Sequence, residues 1–429
     1  MLRSAELGVD RQDDGACDGL GHVVARHLAS GIRLGLAPNL APRQLKLAQT
    51  GIKSTVFEQL SDKNFLDQVP RAGTNHPATL EMYDDIGLYA KLEPRGIVAP
   101  LFHYWDRANG ERIAEFDHAV LKDDTRFPFA LQCERIKIVE EALKLAKANP
   151  LIDVRMAAVF TGFAQDGERV TASVENEAGE NEDIAGRYVV SCEGARSIIR
   201  KDLDIEFEGF TYPDRTLTIE IAYDFSRHGY THRNYISDPV EWSNLFHWIG
   251  PPERWRLHFP TQPEDDEGLL TRPEAMQARL QGFLKTGNPF DIVGYNFYTV
   301  HQRVAKAFRK GRAILAGDSA HVNSPIGGMG LNSGVHDAFN LADKFTRIWR
   351  GEDADALLDL YERQRRHIAV HSTQAQTIRN KKLLAERDPA VRRRNHDELR
   401  RQSEDPKLAR EFLLRTSLIA SVREAAEIT

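Results

Sequence analysis

The densest chemistry in the chain lies between Arg312 and Gly334. A short apolar run from Ala313 to Ala316 is broken by Gly317 and leaves Asp318 at its end. A loop then closes on Pro325, Gly327, Gly328 and Gly330, followed by Leu331 and Asn332. An apolar strand that stops at an acid puts the carboxylate at the strand's carboxyl end, where open α/β sheets meet their ligands. Three glycines in four positions permit left-handed backbone and close approach, and the helix that follows offers unpaired N–H groups to an anion. Val335, Ala338, Phe339, Ala342, Phe345 and Trp349 recur at helical spacing, so this helix packs back onto the sheet. The predicted chemistry is the binding of a cofactor that carries phosphate and a polyol.

Positioning such a loop takes a sheet, and its parts are legible upstream. Residues 53–58 read as a β-branched strand entered by Gly51 and ending on Glu58, with residues 44–50 as the helix before it. In a dinucleotide fold an acid at the end of the second strand accepts hydrogen bonds from the adenosine ribose, which makes Glu58 a candidate. Arg71 lies in a turn before an amphipathic helix, and Gln132 lies just ahead of a helix over 136–148. Residues 153–163 and 169–175 alternate as paired strands around Asp166-Gly167. Residues 188–200 run as a strand, a Glu193-Gly194 turn and a helix start carrying Arg196 and Arg200. From 206 to 300 the pattern changes to alternating, aromatic-rich segments at 217–225, 244–249 and 255–259, which predict an antiparallel sheet. Tyr223, Tyr235, His247, Trp248 and His258 are its candidate ring-contacting side chains. Beyond Gly351 the chain is helical and charged, with Leu357, Leu360, Tyr361 and Ile368 on one stripe.

The run GDSAHVNSPIGGMGLNSGVHDAFNLADKF, residues 317–345, resembles the second FAD-binding motif of the flavin-dependent aromatic hydroxylases, the para-hydroxybenzoate hydroxylase-like family. That resemblance implies that Gly317 and Asp318 bind the ribityl chain. It implies that Pro325, Gly327, Gly328, Gly330, Leu331 and Asn332 lie against the pyrophosphate and the isoalloxazine edge, and that Arg71 and Gln132 contact the FAD. The 188–200 block is similar to the family's Asp-Gly motif, with Glu193 in place of the aspartate and Arg196 and Arg200 as candidates for NAD(P)H phosphate. The implied fold is α/β, an FAD-binding Rossmann-like parallel sheet with an inserted, mostly antiparallel substrate sheet and a C-terminal helical region. Its expected division is a discontinuous FAD domain over 1–103, 130–205 and 295–350, a substrate sheet over 104–129 and 206–294, and helices over 351–429. The implied activity is that of a single-component monooxygenase, which takes NADH or NADPH and O₂ and hydroxylates a phenolic or related ring through a flavin C4a-hydroperoxide. The alternatives are a reductase or halogenase of the same fold, or a remnant whose cofactor site has decayed.

Composition narrows the rest. In 429 residues, 41% hydrophobic content supports a sizeable core, and a net charge of -6 leaves no basic footprint for nucleic acid. No apolar run is long enough to span a membrane and the first twenty residues are polar, so a cytoplasmic location is expected. Cys17, Cys133 and Cys192 are scattered and odd in number, which suits reduced thiols better than disulfides or a metal cluster. His321 has no second ligand at metal spacing and reads as a loop-packing residue; the helical region leaves room for a homodimer contact. One departure stands out. The family opens with a Gly-x-Gly-Pro-x-Gly turn, and the equivalent positions here are Gly35-Leu-Ala-Pro-Asn-Leu40. Ala37 puts a Cβ where backbone should approach pyrophosphate, Leu40 fills the place of close helix–strand packing, and Pro42 is expected in the helix's second turn. The N-terminal segment is therefore expected to be the least well ordered part, with FAD weakly held or absent on purification.

Overall fold

The structure, a computed structural model, describes residues 32–35, 41–62, 64, 73–250 and 253–429. Arg71, Cys17 and the turn positions Ala37 and Leu40 lie outside the described residues.

Short strands form the first layer, and three of them, Ser54–Phe57, Tyr188–Ser191 and Ala313–Leu315, are buried on both faces, as a parallel sheet covered on both sides requires. Its order is Arg309–Lys310, Ala313–Leu315, Tyr188–Ser191, Ile32–Gly35, Ser54–Phe57 and Ile152–Arg155. Every pairing is parallel except the outer hairpin of Arg309–Lys310 on Ala313–Leu315. Three helices, Ala41–Ala48, Arg135–Lys147 and Met329–Trp349, contribute Leu45, Leu47, Ile138, Leu143, Leu341 and Phe345 to the cores around it. The first helix begins earlier than the expected 44–50. Pro42 therefore stands in its first turn, where a missing N–H has no helical acceptor to lose, and the expected second-turn penalty disappears.

The expected strand over 153–163 is two strands. Ile152–Arg155 joins the parallel sheet, whereas Val159–Gln165 pairs antiparallel with Val170–Glu175, whose other edge takes Asn181–Gly186. Ala157, at φ 53°, turns the chain between them. Both halves alternate, so periodicity alone did not reveal the break.

The second large layer has eight strands, in the order His321–Val322, Ile292–Ala305, Phe207–Ile221, Arg254–Pro260, Ser243–Trp248, Arg233–Ser237, Leu101–Asp106 and Glu111–Asp117. It is antiparallel apart from the pairing of Arg233–Ser237 with Leu101–Asp106. The expected seams at 103/104 and 294/295 fall within two of these strands. One face, with Leu217, Ile219, Leu245 and Leu257, packs on Met276 and Leu280 of the helix Pro273–Phe283. The other carries Phe102, Phe116, Tyr235, Phe246 and Trp248, and the C-terminal helices fold over it. Phe412 of the helix Pro406–Thr416 stacks on Phe116 with ring centroids 4.2 Å apart. The stripe of Leu357, Tyr361 and Ile368 is buried within the chain; Leu358 joins it, while Leu360 is only half-buried. Among the described residues no helix is long and apolar enough to cross a membrane.

Candidate functional site

At the carboxyl end of Ala313–Leu315 the chain turns through Gly317 at φ 61°, and Asp318 stands half-buried on that turn. The Gly317 N–H donates to Asp337 Oδ2 at 2.9 Å, so the turn is tied to the long helix. Asp337 also accepts from His321 at 2.7 Å and Arg365 at 2.6 Å; burial would raise its carboxyl, but these two partners reverse that and hold it at about 2. His321 is thus spent on packing, and no group of three or more metal-ligating side chains occurs among the described residues.

Pro325 to Gly328 lead into Met329–Trp349, with Gly327 and Gly328 at φ 99° and 68°. A Cβ on Gly328 would come 2.9 Å from that of Thr74, so this contact admits only glycine. Asn332 holds the same junction: its amide donates to Thr74 O at 2.8 Å and Gly328 O at 2.6 Å, and its Oδ1 accepts from the His76 N–H at 2.9 Å. The Asn332 side chain is therefore committed to the protein, while no side chain caps the helix start beside it.

Two other predicted residues present unused polar atoms. Glu58 follows Ser54–Phe57 fully buried; its Oε1 accepts from Leu60 N–H at 2.9 Å and its Oε2 has no partner. Burial raises its carboxyl from 4.5 to about 8. Gln132 ends the strand Ala130–Gln132, which pairs with Thr74–Asn75, and neither atom of its buried amide has a partner. Between the aromatic face and the Pro325–Ile326 segment lies an open cleft lined by Phe246, His258, Tyr298 and Pro325 among others. An ion pair of Lys381 with Asp214, 2.7 Å apart, stands at its wall, and His258 is kept neutral, its pKa lowered to about 3 by burial and then by Arg256.

A family model described as an FAD binding domain matches residues 44–376, more than three quarters of the chain. Para-nitrophenol 4-monooxygenase of Pseudomonas sp. (strain WBC-3) is 31% identical over 372 residues, covering 86% of this chain and 91% of that protein. The 6-hydroxy-3-succinoylpyridine 3-monooxygenase of Pseudomonas putida is 27% identical, covering 80% and 86%. The crystal structure of p-nitrophenol 4-monooxygenase from Pseudomonas putida DLL-E4 superposes with a TM-score of 0.83 at 29% identity, over 91% of this chain and 97% of that one. The chain belongs to the flavin-dependent aromatic hydroxylases.

FAD fits the hydroxylase's own residues. The unpaired Glu58 oxygen suits ribose hydroxyls, the Gln132 amide and the Asp318 turn suit the flavin and its side chain, and the uncapped helix start suits phosphate. The two arginine candidates for NAD(P)H differ in setting. Arg196 is exposed, whereas Arg200 is buried, donates to Ser319 O at 3.0 Å and to Ala195 O, and lies 3.9 Å from the Phe207 ring. Glu193 faces inward too: it accepts from the hydroxyls of Ser191 and Ser197, each at 2.7 Å, and from the N–H groups of Ile198 and Ile199. The longer acid thus caps the helix Ile198–Asp202. Of the pocket candidates, Tyr235, Trp248 and His258 share the aromatic face. Tyr223 and His247 are on the other side, where Tyr223 meets Phe225 and Phe290 and His247 stacks on Trp255 at 4.4 Å.

The sequence reading missed Arg43, Gln44 and Arg233. The first two are wholly buried in the first helix with Arg43 Nε and Nη1 and both Gln44 amide atoms unpartnered; Arg43 makes one long contact, 3.7 Å, to Cys192 Sγ. Their spacing before Leu47 puts them on the packed side of the helix and was the available signal. Cys133 and Cys192 are inert, pushed up to about 12 by burial.

Proposed function

We propose that this hydroxylase takes reducing equivalents from NADH or NADPH and inserts one oxygen atom of O₂ into a small, single-ring phenol held in the cleft beside Pro325. The observation that carries the proposal is the position of that cleft. Its wall combines Pro325 and Ile326 of the cofactor loop with Phe246, Tyr298 and His258 of the aromatic sheet, so a ring lying there meets both. The p-nitrophenol monooxygenases to which the chain is similar across nearly their whole length support a para-substituted phenol.

FAD, when bound, supplies the redox and oxygen chemistry. The protein holds it through Glu58, Gln132, Gly317 and Asp318, the segment Pro325 to Leu331 that Asn332 braces, and Arg71; Arg196 receives the nicotinamide cofactor's phosphate. The neutral His258 and the aromatic side chains of the wall shield the ring from water on that side, favouring oxygen transfer over leakage. The two large sheets support a division into FAD domain, substrate sheet and helical region, with Leu101–Asp106 and Ile292–Ala305 belonging whole to the substrate sheet. Buried, unpaired Cys133 and Cys192 support a reducing, cytoplasmic setting.

The test is NAD(P)H oxidation by FAD-loaded protein with and without 4-nitrophenol, with labelled O₂. Oxidation that depends on the phenol and puts label into the ring product supports the proposal. Oxidation that ignores the phenol, or unlabelled product, refutes it in favour of a reductase.

A further inference from the structure

We propose that Arg233, flanked by His76 and Tyr235, is the subsite that takes the substrate's ionised phenolic oxygen. This rests on the phenol-hydroxylase reading above and adds to it the residue that selects the ring's charge state.

Arg233 opens the strand Arg233–Ser237 and is 2% exposed. Strand register places it opposite Phe246, two positions from Tyr235, which lies opposite Asn244; Asn244 in turn lies opposite His258. Alternation therefore puts Arg233 on the same face as three residues of the cleft, Asn244, Phe246 and His258. Its neighbours do not match its charge. Nη2 donates to the Tyr235 hydroxyl at 3.3 Å, the guanidinium faces the Phe102 ring at 5.0 Å, and Nε and Nη1 have no partner.

Of the other buried arginines among the described residues, Arg43 alone also lacks a carboxylate or carbonyl partner, and the remaining three show the ordinary solution. Arg256, on the same face, is 2.7 Å from Glu220 and 3.2 Å from Glu134. Arg365 is 2.6 Å from Asp337, and Arg200 gives its protons to two backbone carbonyls. No carboxylate among the described residues comes within ion-pair distance of Arg233. Taking a cation out of water without a counter-charge is heavily penalised, so a site built this way is completed by an anion from outside the chain.

The surrounding groups cannot supply that anion. Burial and then the Arg233 charge lower the pKa of His76 and of His118, so both stay neutral, while burial keeps the Tyr104 hydroxyl protonated. His76 ties the subsite to the cofactor loop: its Nε2–H donates to Gly327 O at 2.8 Å, which in the neutral ring leaves the buried Nδ1 as an unpartnered acceptor. The guanidinium lies against the Phe102 ring and on the same sheet face as Phe246, a residue of the cleft wall, so a phenolate oxygen would carry the charge while its ring meets Phe246. The phenol's proton is left in solvent on binding, and an ionised hydroxyl is what makes the ring electron-rich enough for attack by electrophilic oxygen.

The experiment uses FAD-loaded protein and two probes of nearly equal size, 4-nitrophenol and 4-nitroanisole, the second having no ionisable hydroxyl. Wild type should bind 4-nitrophenol at least tenfold tighter than 4-nitroanisole and lower the bound phenol's pKa by at least one unit, read from its phenolate absorbance below neutral pH. Arg233→Gln should lose both the preference and the shift while keeping its FAD, and Arg233→Lys should retain part of each. Wild type that binds the two probes alike, or binds the phenol without a shift, overturns the subsite even where phenol-dependent turnover upholds the function. Wild type that binds neither probe overturns both readings.

Discussion

Glu58→Gln should remove a pH dependence from the apoprotein. Burial dominates the environment of this carboxyl and raises it to about 8, against the opposing N–H bonds of Leu60 and Gln59. With a folded pKa above the unfolded 4.5, the native state keeps a proton that the unfolded chain has lost. The contribution to stability is then complete below about pH 4.5 and is lost as pH rises through about 8. At about 1.4 kcal/mol per pH unit, that interval amounts to on the order of 5 kcal/mol. Glutamine is neutral in both states, so the variant should gain on wild type across this range, most of all near pH 8. Urea unfolding of FAD-free protein at about pH 5 and about pH 8 measures the difference directly. FAD should act on the same group with a second signature. Ribose hydroxyls that donate to the ionised carboxylate lower its pKa, so FAD uptake near neutral pH should release a proton, visible by calorimetry in buffers of different ionisation enthalpy. If both proteins lose stability in parallel between the two pH values, Glu58 is not the titrating group. If FAD uptake releases no proton, its ribose is not at Glu58.

Asp318→Ala should lose FAD, since each charge-assisted bond to the ribityl chain contributes about 1.5–3 kcal/mol and one such loss weakens binding at least tenfold; undiminished flavin absorbance after dialysis would remove Asp318 from the cofactor. Arg196→Ala should raise the KM for NAD(P)H at unchanged flavin content, whereas Arg200→Ala should lower the urea midpoint by breaking its buried bonds to Ser319 and Ala195 and leave that KM alone. An unaltered KM in the Arg196 variant would take it out of the nicotinamide path. Pro42→Ala should be close to neutral in urea unfolding, while Arg43→Leu should stabilise by about 1–3 kcal/mol by removing an unsatisfied buried charge. A destabilised Arg43 variant would mean that the guanidinium has a partner in the folded protein. Ala37→Gly together with Leu40→Gly should tighten FAD more than tenfold, and a wild type that purifies with one tightly held FAD would show that the missing turn does no harm.

The cofactor half of the protein was legible because its signals are local. A strand ending in Gly317-Asp318, a glycine loop and an amphipathic helix need only one stretch of chain to be recognised. The strand Ile32–Gly35 was not read, although it lies between Tyr188–Ser191 and Ser54–Phe57, because four residues are too few to carry a period. The matched family region likewise begins only at residue 44, inside the first helix. Asn332 was legible as a candidate for the site but not as a brace, since its partners Thr74 and His76 are more than 250 positions away. Arg233 went unnoticed for a related reason: in a strand, an inward arginine looks like an outward one until the neighbours on its face are known.

The order of strands in the parallel sheet has a consequence for how the chain must be made. Its central strand, Ile32–Gly35, is finished early, but one neighbour is not synthesised until residue 191 and the strand beyond that not until residue 315. At the usual roughly 5–20 residues per second, the interval between residues 35 and 191 is on the order of 10–30 s, during which one edge of that strand has no partner. Native pairing therefore waits on translation, and yield should respond to growth temperature and chaperone supply more strongly than the finished protein's stability would suggest.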